Sequence, residues 1–247
     1  MSLKDLKIKI FADGAELEGM LAIARQGLVK GLTTNPTLMR KGGVTDYPAF
    51  AKKVLSQIKD LPISFEVFTD DPAAMEHEAR EINSWGPNVY VKIPVMNTKG
   101  ESSLPLISRL AAEGVKLNVT AIMLTEQVRD VVAALKAGVP SIVSVFAGRI
   151  ADTGRDPIPY MVKSLELLRD RPKAELLWAS PREVLNIYQA DAMGCHIITV
   201  TNDLLKKLAL ADKDLDGYSR ETVSMFYKDA VAAGFSIPLP RLNQTAS

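Results

Sequence analysis

Lys92 stands in Asn-Val-Tyr-Val-Lys-Ile-Pro-Val, residues 88–95, where most neighbours are apolar. Such a run reads as a buried parallel strand. An ammonium group there is costly unless it is paired or gives up its proton. A lysine kept neutral by desolvation is a nucleophile, and with a carbonyl substrate it forms a Schiff base. The alternative is a lysine at the strand end whose amine snorkels to water.

Other polar residues recur where strands end. Apolar runs over 8–12, 31–34, 63–67, 89–93, 117–120, 141–145, 175–178 and 197–200 read as strands. Amphipathic stretches over 16–26, 47–59, 72–84, 104–113, 126–136, 158–169, 182–193 and 204–209 separate them. Asp71-Pro72 and Thr125 mark helix starts. Eight β–α units in sequence predict an α/β fold, a single (β/α)8 TIM barrel. A flat doubly wound sheet would normally show a Gly-rich turn after strand one, and Phe-Ala-Asp-Gly-Ala has none.

Barrel enzymes build their sites at the C-terminal ends of the strands. Those ends carry Asp13, Asn35, Glu66, Lys92, Asn118 with Thr120, Ser144 and Ser180. Asp13 alone could cap a helix, and Thr120 alone could simply favour a strand. A converging series of inward polar groups would be costly without a job. Ser180-Pro181-Arg182-Glu183 reads as a capping box, which predicts free N–H groups and Arg182 at a helix N-terminus after strand seven. Barrels often bind phosphate there. Arg149, after strand six, can reach the same place; each arginine alone is equally a surface ion pair.

The rest of the composition excludes chemistry. The 247 residues carry a net charge of +1, which gives no electrostatic case for nucleic acid or an anionic membrane. The N-terminus lacks a secretory apolar region, and no stretch approaches a membrane span of about 20 residues. His77 and His196 have no neighbours at metal spacing, so no metal and no cofactor are expected. Cys195 is the single cysteine, which fits a reducing cytoplasm; core packing is favoured over a nucleophilic role. Residues 214–234 read as a further helix, its core at about 219–234, and 236–247 as an extended or disordered tail.

Gly31-Leu-Thr-Thr-Asn-Pro-Thr37 resembles the signature of the transaldolase family, and so does Val91-Lys-Ile-Pro94. Leu117-Asn-Val-Thr-Ala-Ile122, Ser144-Val-Phe-Ala-Gly-Arg149 and Ala179-Ser-Pro-Arg182 resemble three further family blocks, over about residues 7–232 in all. The family consists of class I Schiff-base aldolase barrels, including a short branch with the fructose-6-phosphate aldolases. The resemblance implies that Lys92 forms the imine with a ketose donor. Glu66 and Thr120 would hold the proton-transferring water, and Asp13 would assist at the donor hydroxyl. Asn35 and Asn118 would position donor hydroxyls, with Thr33 and Ser144 nearby. Arg149, Ser180 and Arg182 would bind the acceptor phosphate.

Glu66, Phe146 and Asn118 resemble members that transfer the three-carbon unit, where members releasing dihydroxyacetone tend to carry Gln and Tyr at 66 and 146. The resemblance also implies sugar-phosphate substrates and a homo-oligomer, often a decamer, built with the C-terminal helix. Gly14, Trp178 and Pro181 depart from the pattern. Trp178, two residues before Ser180, either crowds the acceptor pocket or packs against the helix layer. Three readings follow: a transaldolase, in the pentose phosphate pathway or in dedicated sugar biosynthesis; an aldolase releasing dihydroxyacetone; and a non-catalytic sugar-phosphate binding protein.

Overall fold

The structure is a computed structural model describing residues 5–238. Among them eight parallel strands close into a barrel in chain order: β1 (Lys9–Asp13), β2 (Gly31–Thr33), β3 (Ile63–Glu66), β4 (Val89–Pro94), β5 (Leu117–Ile122), β6 (Ser141–Val145), β7 (Ala174–Trp178) and β8 (Ile197–Thr201). The (β/α)8 barrel expected from the alternation is present.

Period-two alternation decides which side chains reach the site. Val89, Val91 and Ile93 of β4 join the large apolar core between sheet and helices, as do Ile63 and Phe65 of β3 and Leu117 and Val119 of β5. Each such side chain, fully buried, stabilises by roughly 1.5–3 kcal/mol. The alternate residues therefore face the barrel axis. Part of that inner face is apolar: Phe11, Ile142, Leu177 and Ile197 pack with Tyr90 and Phe146, and of these Leu177 and Phe146 reach the mouth. Gly31 admits this plug, since a Cβ there would lie 2.4 Å from Phe11 Cζ. On β3, β4 and β5 the inward residues at the mouth are polar, with Glu66 in register with Lys92 and Lys92 with Asn118.

The helices are α1 (Leu17–Arg25), α2 (Pro36–Lys41), α3 (Tyr47–Gln57), α4 (Pro72–Ser84), α5 (Leu104–Ala112), α6 (Thr125–Ala134), α7 (Ala147–Asp152), α8 (Ile158–Leu168), α9 (Leu185–Ala192), α10 (Asn202–Lys207) and α11 (Leu215–Ala232). Asp71 caps α4 as expected, accepting from the Ala74 N–H at 2.9 Å. The short α2 and α7 were not expected; each has six residues, too few to display a 3.6-residue period. Helix α9 starts at Leu185 and not at 182. Helix α11 runs a few residues earlier than 219–234 and buries none of its side chains. Of the expected extended tail, 236–238 is exposed chain without regular structure, and 239–247 lies outside the described residues. Among the described residues no helix is long and apolar enough to cross a membrane.

Candidate active site

At the C-terminal mouth of the barrel lies a cavity of about 460 Å³. Lys92 is at its floor, 7% exposed. Its Nζ donates to the Thr34 carbonyl at 3.1 Å and lies 3.1 Å from Glu66 Oε2. The amine is thus paired inside the barrel and does not snorkel to the surface. A carboxylate within contact distance of a buried amine is a base for its proton. The arrangement can create a nucleophile without exposing an ammonium group to an apolar wall.

Asp13 lines the same floor. It does not cap the following helix, because Glu16 does: its carboxylate accepts from the N–H groups of Glu18 and Gly19. Burial pushes the Asp13 carboxyl above the usual carboxylate range, against the pull of the Lys92 charge and of a hydrogen bond from Thr33 Oγ1 at 2.8 Å. A carboxyl held toward its protonated form can give a proton as well as take one. Thr33 Oγ1 also meets Thr199 Oγ1 of β8.

Across the floor, Ser144 Oγ donates to Asn118 Oδ1 at 2.6 Å, and Asn118 Nδ2 donates to Ser64 Oγ at 2.9 Å. This chain fixes the Asn118 amide, leaving its second N–H for the cavity. Asn35 Oδ1 is used as the cap of α2, accepting the Leu38 N–H at 3.0 Å, so its amide nitrogen is the group it can offer a ligand. Thr120 is buried, and its Oγ1 has no hydrogen-bond partner among the described residues. The next residue, Ala121, sits at φ 61°, where β5 shifts register against β6. That left-handed bend turns the end of β5 and is where an L-residue costs about 1–2 kcal/mol.

The rim is cationic. Arg149 on α7 lies 5.8 Å from the ring centroid of Phe146, the residue before that helix. Arg182 faces the cavity but is paired: its Nε donates to Asp152 Oδ1 at 2.9 Å and its Nη2 to Asp152 Oδ2. The Arg182 hydrogen bonds hold the Asp152 carboxyl below the usual range, with Arg149 contributing at longer range. Ser180 lines the rim but caps no helix. It adopts φ 58°, and the N–H groups of Arg182 and Glu183 already donate to Asn186 Oδ1 at 2.8 and 3.2 Å. The capping-box expectation is therefore corrected: Ser180 turns the chain, and the helix begins five residues later. Of the two readings of Trp178, packing against the helix layer holds. It is 1% exposed within the sheet–helix core, because Leu177 and Ala179 take the inward face.

All twelve residues singled out in the sequence line this one cavity. Thr34, Ser64, Thr199 and Asp152 were missed. Ser64 and Thr199 share the inward face with Glu66 and Ile197, so a period-two reading of every strand would have found them. Cys195 is buried and its thiol pushed up to about 12 by burial, which suits core packing. Among the described residues no three His, Cys, Asp or Glu side chains converge as metal ligands. A second hollow of about 700 Å³ lies at the opposite end of the barrel, lined by Lys9, Arg171, Glu175 and His196 among others, and holds no buried amine.

Residues 10–237 match the family described as "Transaldolase/Fructose-6-phosphate aldolase". A "Probable transaldolase 2" of Listeria monocytogenes is 36% identical over 227 residues, covering 90% of this chain and 99% of that protein. A "Probable transaldolase" of Dehalococcoides mccartyi is 34% identical over 202 residues, covering 81% and 90%. Among solved structures, dihydrodipicolinate synthase from Rhodopseudomonas palustris shares the fold at a TM-score of 0.57 and 12% identity, over 94% of this chain and 82% of that one.

Proposed function

The chain belongs to the transaldolase/fructose-6-phosphate aldolase family, and from that premise we propose a transaldolase, moving a dihydroxyacetone unit from a ketose phosphate to an aldose phosphate through a Schiff base on Lys92. Membership makes it an enzyme of the transaldolase or aldolase kind. The observation that carries the finer reading is the buried Lys92 amine, 3.1 Å from the Glu66 carboxylate on the floor of a polar cavity.

In the proposed cycle Glu66 receives the Lys92 proton, and the free amine adds to the donor carbonyl. Loss of water, with a proton relayed by Glu66 and a water on Thr120, gives a protonated imine. Asp13 takes the proton of the donor's C4 hydroxyl. The C3–C4 bond breaks, its electron pair flows into the imine, and the aldose leaves. The enamine then attacks the acceptor aldehyde, Asp13 returns its proton to the oxygen that becomes the new hydroxyl, and hydrolysis of the imine frees Lys92. Asn35 and Asn118 hold donor hydroxyls, with Thr33 and Ser144 supporting them. The iminium is the electron sink, so the cycle needs neither metal nor organic cofactor.

Incubation with fructose 6-phosphate, with and without erythrose 4-phosphate, tests this reading. Sedoheptulose 7-phosphate should outpace free dihydroxyacetone, because Phe146 lines the cavity without a hydroxyl to orient an attacking water. Equal or faster release in the presence of acceptor would point to an aldolase.

Arg149 and Arg182, with Ser180, are assigned to the acceptor phosphate. A hydrogen bond to a charged group contributes about 1.5–3 kcal/mol. Arg182→Ala should then raise KM for phosphorylated acceptors roughly tenfold to a hundredfold, leaving slow turnover of unphosphorylated aldehydes unchanged. An equal loss for both acceptor types would mean that the arginine, with Asp152, only holds the loop.

We assign α11 to a homo-oligomer, with a decamer expected, in the cytoplasm. Val223, Phe226, Tyr227 and Val231 are each more than 60% exposed on a helix with no fully buried side chain among the described residues. Such a surface needs a partner. A monomeric mass by light scattering would remove that assignment.

A further inference from the structure

Tyr47 does not line the cavity, yet it touches the backbone of the residue that faces Lys92. It is the first residue of α3, held there by Asp46, whose Oδ1 accepts the Ala49 N–H at 2.9 Å. Its hydroxyl donates to the Glu66 carbonyl at 3.1 Å and accepts the Glu66 N–H at 2.9 Å. Both bonds of one residue thus end on one phenol oxygen.

The geometry of parallel strands explains why this position needs a partner. A strand residue points its N–H and C=O to the same side, alternating along the chain. Ser64 turns toward β2, since its carbonyl accepts the Thr34 N–H at 3.1 Å. Glu66, two residues on, turns the same way. Strand β2 has ended by then: its register with β3 stops at Thr33 and Ser64, and Asn35 leaves to cap α2. On its other side β3 stays paired, with the Val67 N–H donating to the Lys92 carbonyl at 3.1 Å. The Tyr47 hydroxyl occupies the place of the missing strand.

The ring is fixed as firmly as the hydroxyl. Phe65 and Trp85 meet it edge-on at 6.1 and 5.6 Å between centroids, and Phe68 lies at 4.4 Å. Burial pushes the phenol well above its ordinary range, so the hydroxyl keeps its proton.

We propose that Tyr47 is a positioning residue that replaces the absent strand and aims the Glu66 carboxylate at Lys92. The inference rests on the Schiff-base reading above, with Glu66 as the group that handles the Lys92 proton. Without the hydroxyl the end of β3 would lose both ties on the β2 side, and the carboxylate would sample positions beyond hydrogen-bond reach of the amine. A misplacement of about 1 Å can cost a hundredfold in rate.

The test is a double-mutant cycle of Tyr47→Phe and Glu66→Gln, read as the single-turnover rate of borohydride-trapped adduct at Lys92 with a ketose donor. Tyr47→Phe keeps the ring and removes only the hydroxyl. It should slow trapping about tenfold or more, leave donor KM within about twofold, and have no further effect in the Glu66→Gln background. The same fold loss in both backgrounds, an unchanged rate, or a variant that fails to fold would overturn the inference while leaving Lys92 as the nucleophile. A wild-type protein that forms no adduct would overturn it together with the reading on which it rests.

Discussion

Lys92→Met should abolish borohydride trapping of a ketose donor and lower kcat by at least about 10⁴-fold, as loss of a covalent nucleophile does. Methionine reproduces most of the buried stem, so packing beneath the mouth is kept. Glu66 loses its ion pair but borders the cavity, where its side chain is 13% exposed. Loss of activity with an unfolded protein would be uninformative, so circular dichroism and Tm accompany the kinetics. Peptide mapping that finds the three-carbon adduct on another residue, or near-normal turnover in the variant, would remove the Schiff-base reading.

Gly148→Ala should damage both fold and acceptor binding. A Cβ at 148 would lie 1.6 Å from the Ser180 carbonyl oxygen and 2.6 Å from its carbon. Both are backbone atoms, so no side chain can swing aside. The Gly148 N–H also donates to the Ala179 carbonyl at 3.2 Å, which ties α7 to the end of β7. Forced apart, these segments carry Arg149 and Arg182 away from each other. Overpacking of this kind costs roughly 1–3 kcal/mol, which lowers Tm by about 2–12 °C in a domain of this size. KM for phosphorylated acceptors should rise by at least about tenfold. A variant with wild-type Tm and wild-type acceptor KM would show that this close approach is dispensable.

What the sequence made legible follows the range of the forces involved. The eight-fold alternation of apolar and amphipathic runs is local, and it carried the barrel. The polar residue at each strand end is also local, and it led to Lys92, Glu66 and Asp13. Contacts made by side chains far apart in sequence were not legible. Nothing around Tyr47 announces Glu66, and nothing around Asp152 announces Arg182, thirty residues away. Short helices were lost for another reason. Helices α2 and α7 are set by Asn35-Pro36 and by the turn at Phe146, with no periodicity to reveal them. Ser180 misled because Ser-Pro-Arg-Glu satisfies a capping pattern that the close approach of Gly148 overrides. Trp178 was ambiguous because two-residue counting back from Ser180 assumes a regular strand, and Ser180 is already in a left-handed turn.

The end of β5 carries two local costs at the mouth of the barrel. Thr120 buries a hydroxyl that no group among the described residues satisfies, and Ala121 holds a backbone conformation that favours glycine. A buried unpaired hydroxyl costs on the order of 1–3 kcal/mol, and the left-handed residue adds about another 1–2. A barrel selected for heat resistance alone would carry an apolar β-branched side chain at 120 and glycine at 121. This chain keeps the costlier pair in the cavity that Lys92 lines. On the proposed reading, in which Thr120 holds the relay water, heat tolerance gained at that position would come at the expense of turnover. Adaptation to a hotter habitat has its freer ground in the helices outside.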